Sequence, residues 1–274
     1  MIKAKKSLGQ NFLKSQPALN KMCEAGEVND KDIILEIGPG KGALTEKLLE
    51  KAGVVIAVEK DKSLVEFLRE KFQGEIKNKK LILVECDILD FNPTTYYLLL
   101  TTYKLIANIP YNITGAIIKK FLSGDTRPEK MVLLVQKEVA ERIVARDGKE
   151  SILSLSVKVY GIPKYIMKVS KKYFSPSPKV DSAIIAINNI SKKNFKNNSE
   201  ENNFFEIIKA GFAHKRKVLR KNLENLSLTK KYLEVRLPYI DGVFEKLEIN
   251  PKARAEDINF EKWLSISRNL STDI

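Results

Sequence analysis

From residue 32 onward, short apolar runs alternate with amphipathic stretches, and this alternation constrains the fold more than any other feature of the chain. Residues 33–37, 54–58 and 81–84 are apolar runs of strand length, and the segments between them have the periodicity of helices. Strands separated by helices pair in parallel through right-handed crossovers, because a parallel pair needs a long connection. The sequence therefore predicts an α/β fold with a doubly wound, mostly parallel sheet.

The chain beyond this sheet divides into three parts. Residues 165–169 and 180–187 are strand signals with only a Ser/Pro turn segment between them, which predicts an antiparallel edge hairpin. A polar segment with little to bury follows, and from residue 204 the pattern is helical, with an apolar stripe formed by Ile208, Phe212, Leu219, Leu223 and Leu226. We predict a domain over 1–187, a polar linker over 188–203 and a small all-α domain over 204–274.

The charge balance favours an anionic partner. The chain has 48 Lys and Arg residues against 34 Asp and Glu residues, a net charge of +14. An excess of this size attracts polyanions at long range, which makes nucleic acid the first candidate and an anionic membrane surface the second. No apolar run approaches the roughly 18 to 20 residues of a membrane span and no signal peptide is evident, so a cytoplasmic location is expected.

Only two cysteines, Cys23 and Cys86, and one histidine, His214, are present. This composition excludes a disulfide framework, a Cys/His zinc site and a Ser-His-Asp triad. No metal is predicted, and the chemistry must come from other side chains or from a cofactor.

A glycine-rich loop follows the first strand of the alternating pattern. Gly38, Gly40 and Gly42 lie between this strand and the next helix, where small residues let a ligand approach the backbone and the helix N-terminus offers free amides. A tight strand-to-helix turn without a ligand is the alternative interpretation. The loop lacks the Gly-Lys-Ser/Thr ending of a phosphate-binding P-loop.

Two carboxylates follow the next two strands. Glu59 lies where an acid would accept ribose hydroxyls, and Asp87 lies where a carboxylate could accept an adenine amine. A structural Asp that caps the next turn is the alternative for Asp87. Because the carboxyl ends of parallel strands share one edge, the glycine loop and both acids are expected to form a site for an adenosine.

The most specific local sequence is Asn108-Ile109-Pro110-Tyr111, at the expected end of the fourth strand. An adenine amine is a poor nucleophile, and a catalyst must hold both N–H bonds with acceptors. The Asn108 carboxamide oxygen and the Ile109 or Pro110 carbonyl can do this, and Tyr111 can stack on a base that has left its helix. An ordinary Asn-x-Pro turn with local packing of Tyr111 is the alternative.

The segment 173–180 contains two rings and two prolines. Phe174 is predicted as a second ring for stacking on the base, with a role in the core as the alternative.

These motifs together resemble a known family. The chain contains Lys6-Ser7-Leu8-Gly9-Gln10-Asn11-Phe12-Leu13, Glu36-Ile37-Gly38-Pro39-Gly40, Asn108-Ile109-Pro110-Tyr111-Asn112-Ile113, Phe174-Ser175-Pro176-Ser177-Pro178-Lys179-Val180-Asp181-Ser182, Phe212-Ala213-His214-Lys215-Arg216-Lys217-Val218-Leu219 and Arg254-Ala255-Glu256. In this order they are similar to the motifs of the KsgA family of ribosomal RNA adenine dimethyltransferases. The departures are Thr114-Gly115, where a Ser/Thr pair is more usual, and His214-Lys215, where an Arg is often seen.

The resemblance implies a Rossmann-like class I methyltransferase that uses S-adenosylmethionine. It would dimethylate N6 of two adjacent adenosines near the 3′ end of small-subunit (16S) rRNA during ribosome biogenesis. Carried over, Asn11 and Leu13 would close over the cofactor, Gly38 and Gly40 would line its methionine end, Glu59 would bind ribose and Asp87 adenine. Asn108 would lie between the cofactor and the target amine, while Tyr111 and Phe174 would hold the base.

A basic stretch is the candidate RNA contact. Between Glu206 and Glu224 there is no acid, and the stretch contains the predicted RNA-binding residues Lys215, Arg216, Lys217, Arg220 and Lys221. A solvated helix face is the alternative.

Three other functions stay open at this stage. An Erm-type 23S rRNA adenine methyltransferase shares the glycine loop and the Asn-x-Pro-Tyr motif, and a non-catalytic RNA-binding assembly or transcription factor could keep the same fold. A nicotinamide dehydrogenase would leave the Asn-x-Pro-Tyr motif and the basic stretch unexplained. The expected partner is small-subunit rRNA within a pre-ribosomal particle, with no membrane, no obligate protein partner and a monomeric state.

Overall fold

The computed structural model describes residues 4–5, 8–96, 102–224 and 236–271. Lys6, Ser7 and Leu226, which belong to the patterns above, lie outside the described residues. The chain forms two compact units, one with residues 1–140 and 161–191 and the other with residues 141–160 and 192–274.

The first unit is built on a seven-stranded sheet. Its strands are β2 (Ile33–Ile37), β3 (Val54–Glu59), β4 (Leu81–Glu85), β5 (Lys104–Asn108), β6 (Lys130–Gln136), β7 (Ile162–Val169) and β9 (Ser182–Asn188). Their order in the sheet is β4-β3-β2-β5-β6-β9-β7. The strands β2 to β6 pair in parallel with one another, whereas β9 is antiparallel to β6 and to β7. The predicted doubly wound sheet with an antiparallel edge hairpin is confirmed.

Helices cover this sheet, as the crossovers of parallel strands require. They are α1 (Gln16–Ala25), α2 (Ala43–Leu49), α3 (Lys62–Lys71), α4 (Gln73–Lys77), α5 (Thr114–Ser123) and α6 (Lys137–Ile143). Ser15 caps α1 through Ala18 N–H and Asp61 caps α3 through Ser63 N–H, the side-chain caps that free helix amides favour. Apolar residues of the helices and strands form one core.

A two-stranded ribbon lies apart from the main sheet. The strand β1 (Phe12–Leu13) pairs antiparallel with β8 (Phe174–Ser175), so that Leu13 is opposite Phe174. Sequence periodicity did not predict this pairing, because a strand of two residues has no readable period.

The second unit is helical. Its helices are α7 (Ile152–Lys158), α8 (Asn198–Gly211), α9 (Leu219–Leu223), α10 (Arg236–Lys246) and α11 (Phe260–Ser271). The structure differs from the predicted boundaries, because residues 141–160 join this unit and α8 begins inside the segment 188–203 that was predicted as a linker. The Asn197 side chain accepts the Glu200 N–H at 2.9 Å, so the Asn-rich segment serves partly as a helix cap.

The stripe from Ile208 to Leu226 does not form one helix. Helix α8 ends at Gly211, where a Cβ atom would lie 2.3 Å from the Trp263 ring, and Phe212 stacks on the same ring at 5.5 Å between centroids. Helix α9 begins only at Leu219, so Lys215, Arg216 and Lys217 occupy a turn between two helices. Over the described ranges, no helix has both the length and the apolar character needed to cross a membrane.

Candidate functional site

A cavity of about 590 Å³ opens at the carboxyl ends of the parallel strands. Its walls come from the loops after β2, β3, β4 and β5 and from the N-terminal segment 8–14. Among the residues lining it are nine that the sequence singled out as cofactor-binding or catalytic: Asn11, Leu13, Gly38, Gly40, Glu59, Asp87, Asn108, Pro110 and Tyr111. The volume is in the range of small-molecule sites, and the location is where doubly wound sheets bind ligands.

The glycine loop adopts a backbone that other residues rarely take. Gly38 and Gly40 have φ values of +64° and +59°. A Cβ atom at Gly40 would lie 3.0 Å from the Phe12 ring, which faces the loop from the N-terminal segment. Glycine is therefore needed both for the turn and for the close approach of Phe12.

Glu59 ends β3 as a buried carboxylate, only 6% exposed. Its Oε2 accepts the Gly40 N–H at 3.2 Å and its Oε1 accepts the Asp61 N–H at 2.9 Å. Burial raises the pKa of this carboxyl, while the two backbone donors act in the opposite direction. The side chain is thus fixed against the glycine loop and borders the cavity.

Asp87 follows β4 and is more exposed than Glu59. Its Oδ2 accepts the Lys60 ammonium at 2.6 Å and its Oδ1 accepts the Leu89 N–H at 2.9 Å. The Lys60 contact, followed by the Leu89 N–H, lowers the pKa of this carboxyl, so it is ionised at neutral pH. Asp87 therefore caps the turn and also lines the cavity. Its carboxylate has enough lone pairs to accept a hydrogen bond from a ligand as well.

The Asn108 carboxamide at the end of β5 is oriented by the N-terminal segment. Its Nδ2 donates to the Asn11 carbonyl at 3.2 Å, which leaves Oδ1 as the acceptor of the group. The backbone turns at Pro110, which has φ of −59°. Asn11 therefore lines the cavity and also orients Asn108 through its carbonyl. The spacing of residues in the sequence did not indicate this second role.

Tyr111 lies beside the same cavity, with its hydroxyl 2.6 Å from the Ser182 hydroxyl. Burial raises the pKa of Tyr111, so the phenol stays neutral. The hydroxyl contact fixes the tilt of a ring that lines the cavity.

Phe174 lies in the core, which was the alternative to its predicted stacking role, and the stacking role stays a prediction. The pairing of β8 with β1 places its side chain opposite Leu13, and Phe174 is 5% exposed within the hydrophobic core. Its side chain does not line the cavity, whereas Ser175 does. Phe174 and Leu13 are paired across the ribbon and both belong to the hydrophobic core.

Two contributors to the site were missed. Glu36, near the end of β2, lines the cavity at 1% exposure, and its Oε2 is buried without a hydrogen-bond partner. Burial raises the pKa of Glu36 to about 8, and the nearby Glu59 acts in the same direction. Glu36 is an acid inside the otherwise apolar strand β2, and this feature of the sequence could have indicated its role.

The other missed contributor is a clamp at Asp61 that holds the N-terminal segment. The Asp61 carboxylate accepts the Lys5 ammonium at 2.6 Å and the Gln10 Nε2–H at 2.9 Å, besides capping α3. Although burial acts against it, these donors lower the pKa of Asp61 to about 2. The clamp fixes the segment whose Asn11 carbonyl orients Asn108.

The predicted RNA-binding residues lie in the second unit. Lys215, Arg216, Lys217 and Lys221 are exposed. Arg220 differs, because its guanidinium donates to Asp241 at 2.8 Å and to Glu224 at 3.4 Å. These acids neutralise much of its charge, and a phosphate contact would have to compete with them.

Comparisons with known proteins show which family the chain resembles. A family model described as ribosomal RNA adenine dimethylase matches residues 1–271. The chain is 42% identical over 263 residues to ribosomal RNA small subunit methyltransferase A of Dehalococcoides mccartyi, covering 96% of this chain and 87% of the relative. It is 39% identical to the protein of the same name from Fusobacterium nucleatum, covering 97% of each.

Solved structures show the same fold. A dimethyladenosine transferase from Plasmodium falciparum superposes with a TM-score of 0.78 at 27% identity, covering 93% of this chain and 95% of that one. The 23S rRNA methyltransferase ErmE superposes with a TM-score of 0.77 at 24% identity, covering 96% of this chain and all of that one.

Proposed function

The chain belongs to the ribosomal RNA adenine dimethylase family, and on that basis we propose how its cavity serves the reaction. It is an S-adenosylmethionine-dependent rRNA adenine dimethyltransferase, and its curated relatives identify small-subunit rRNA as the substrate. The Erm-type alternative has less support, since the likeness to ErmE is a likeness of fold. We further propose that the targets are two adjacent adenosines near the 3′ end, modified in a cytoplasmic pre-ribosomal particle by a monomeric enzyme.

The residues of the cavity fit this cofactor. Glu59 and Asp87 offer acceptors for ribose hydroxyls and an adenine amine, and the glycine loop offers backbone close to a ligand. Leu13 supplies apolar lining at the N-terminal wall. S-adenosylmethionine supplies an electrophilic methyl group carried on a sulfonium.

The residues around Asn108 support a role in holding the target amine. In our proposal Asn108 Oδ1 and the carbonyl of Ile109 or Pro110 accept its two N–H bonds, which favours a pyramidal nitrogen with an available lone pair. Tyr111 stacks on the base. No general base is required, because the amine proton becomes acidic once the methyl has bonded and then leaves to water. The observation that carries this proposal is the Asn108 carboxamide, oriented by Asn11 at the cavity wall.

The function is tested by methyl transfer. Small-subunit particles that lack the modification are incubated with tritiated S-adenosylmethionine, and the labelled nucleotides are mapped. Label on two adjacent adenosines of the small-subunit rRNA is expected. Label on large-subunit rRNA would support the Erm-type alternative, and absence of label on either would support a non-catalytic RNA-binding role.

Cofactor affinity is expected to depend on Glu59. Hydrogen bonds to a charged acceptor contribute roughly 1.5 to 3 kcal/mol, so Glu59→Ala is expected to weaken S-adenosylmethionine binding by about tenfold or more. Calorimetry on the folded variant measures this, with Glu70→Ala, an exposed residue of α3, as the control. Unchanged affinity in a folded Glu59→Ala protein would remove Glu59 from the site.

RNA affinity is expected to depend on salt through the turn before α9. Each phosphate that a cation neutralises contributes about −0.7 to −0.9 to the slope of log K against log salt. Replacing Lys215, Arg216 and Lys217 by alanine should therefore flatten the slope by roughly two units or more. Arg220→Ala should flatten it less, because Asp241 and Glu224 already pair with the guanidinium. An unaltered slope in the triple variant would mean that this turn is only solvated surface.

A further inference from the structure

The loop that joins β7 to β9, residues 170–181, presents an aromatic ring to solvent beside the cavity. Tyr173 is 43% exposed, although its neighbour Phe174 is buried. Val180, near the other end of the loop, is 46% exposed. Rings on soluble proteins are usually largely buried by packing, and a ring that is this exposed on a polar surface can stack on a base.

The 170–181 loop also has an unbalanced positive charge. It contains Lys171, Lys172 and Lys179, all exposed, and its only acid is Asp181. The Asp181 carboxylate is engaged already, by Lys168 at 2.9 Å and by the Lys171 N–H at 3.0 Å. Across the part of the chain that the structure describes, no carboxylate forms an ion pair with the three lysines of the loop. The surface therefore suits an anionic ligand.

Hydrogen bonds hold the backbone of the 170–181 loop. The Tyr173 carbonyl accepts the Lys14 N–H at 2.8 Å, and the Ser177 hydroxyl donates to the Lys171 carbonyl at 3.0 Å. The Lys172 ammonium lies 5.2 Å from the centroid of the Tyr173 ring. A platform fixed in this way loses little conformational entropy when it binds a ligand.

The 170–181 loop meets the cavity at two points. Ser175 lines the cavity and is two residues from Tyr173, so their Cα atoms are within about 7 Å. Ser182, which follows the loop, contacts the hydroxyl of Tyr111. The pairing of Ser182 with Gln136 places the loop at the carboxyl ends of the parallel strands, the edge that carries the cavity.

We propose that the 170–181 loop binds the single-stranded RNA next to the target adenosine, with a flanking base stacked on Tyr173 and phosphates contacting Lys171, Lys172 and Lys179. A target base that leaves its stack deprives its neighbours of a stacking partner, and aromatic rings among cations commonly hold unpaired nucleotides. The proposal rests on the proposed function, since it assigns part of the same substrate. It assigns Tyr173, the exposed ring of this segment, to a base beside the target and leaves the predicted role of Phe174 at the target base untouched.

The stacking contact is tested with Tyr173→Ala and Tyr173→Phe in the full chain. Loss of one base stack corresponds to a change of about tenfold or more, so Tyr173→Ala should raise KM for unmodified small-subunit particles by that factor. Its kcat at saturating particle concentration and its affinity for S-adenosylmethionine should be unchanged. Tyr173→Phe keeps the ring and should behave like the original protein.

A fluorescent RNA tests stacking without methyl transfer. In a short single-stranded RNA with 2-aminopurine beside an adenosine, binding should quench the fluorescence with the original protein and with Tyr173→Phe, but not with Tyr173→Ala. Equal quenching and equal KM in Tyr173→Ala would overturn the proposal. A raised KM for particles with unchanged RNA quenching would also overturn it, because the loop would then contact a protein of the particle.

The lysines are tested by the salt dependence of RNA binding. Replacing Lys171, Lys172 and Lys179 by alanine should flatten the slope by roughly two units. The matched control replaces Lys31, Lys51 and Lys77, which are exposed before β2, β3 and β4 at the opposite edge of the sheet, and should leave the slope unchanged. If both triple variants flatten the slope equally, the loop lysines act only through the net charge of the protein, and the proposed phosphate contacts are wrong. Failure of the original protein to methylate particles would instead contradict the proposed function, and the RNA-binding measurements do not depend on that outcome.

Discussion

Asn108→Ala is expected to lower the single-turnover rate of methyl transfer by about 10²- to 10³-fold, the cost of losing one oriented hydrogen-bonding group in a transition state. The carboxamide is half-buried at the end of β5, and the Asn11 carbonyl fixes its Nδ2, so its Oδ1 is an acceptor that needs no reorganisation. Alanine removes this acceptor without filling the cavity. Rapid-quench measurements with saturating cofactor and particles report the chemical step directly.

The controls for Asn108 separate orientation from charge. Asn108→Asp keeps an acceptor but adds a charge that attracts a sulfonium, so cofactor binding should tighten while the rate falls. The profile of rate against pH should be flat above neutrality, and His214→Ala should keep the rate of the chemical step, because no histidine acts as a base. A single-turnover rate in Asn108→Ala equal to that of the original protein would end the assignment of Asn108 as catalytic.

The location of the site was predictable because it depends on strand ends. Apolar runs mark the strands, parallel pairing brings their carboxyl ends to one edge, and the chemistry-bearing residues come directly after the runs. Gly38, Glu59, Asp87 and Asn108 follow from this rule and line one cavity.

The contribution of the N-terminal segment to the site was harder to predict from the sequence. The contact between Asn11 and Asn108 spans 97 residues, and the clamp between Lys5 and Asp61 spans 56 residues. The same segment pairs with β8 through β1, and strands of two residues leave no periodic pattern in the sequence. Only the resemblance to a family placed this segment at the cofactor.

The choice between Phe174 and Tyr173 shows a second limit. Tyr173 ends a short 3-10 turn and Phe174 begins β8, and the sequence does not say which of the two rings is buried. The pairing of Leu13 with Phe174 decides it. The apolar stripe from Ile208 onward was wrong as a prediction of one continuous helix for a related reason. Its periodicity runs past Gly211, but α8 ends at this residue, against which Trp263 packs.

The second large effect is expected in stability, at Glu36. This carboxyl is buried with one oxygen unpartnered, and its pKa in the folded protein is about 8, against 4.5 for an exposed glutamate. Its folded-state pKa is raised, so its contribution to stability is fully present below about pH 4.5 and is lost as pH rises through about 8. Because a tenfold change in proton affinity corresponds to about 1.4 kcal/mol, the loss is on the order of 5 kcal/mol.

Glu36→Gln removes this titration while keeping the size and shape of the side chain. Urea unfolding of the ligand-free proteins should therefore give similar free energies of unfolding at about pH 5, and a variant more stable by a few kcal/mol at about pH 9. Glu70→Gln, at an exposed position of α3, is the matched control and should show the pH dependence of the original protein. Glu59, whose pKa is also raised by burial, is present in all three proteins and contributes a pH dependence of the same sign to each of them. If Glu36→Gln and the original protein lose stability in parallel between these pH values, Glu36 is ionised in the folded state and a cation of the protein compensates its charge.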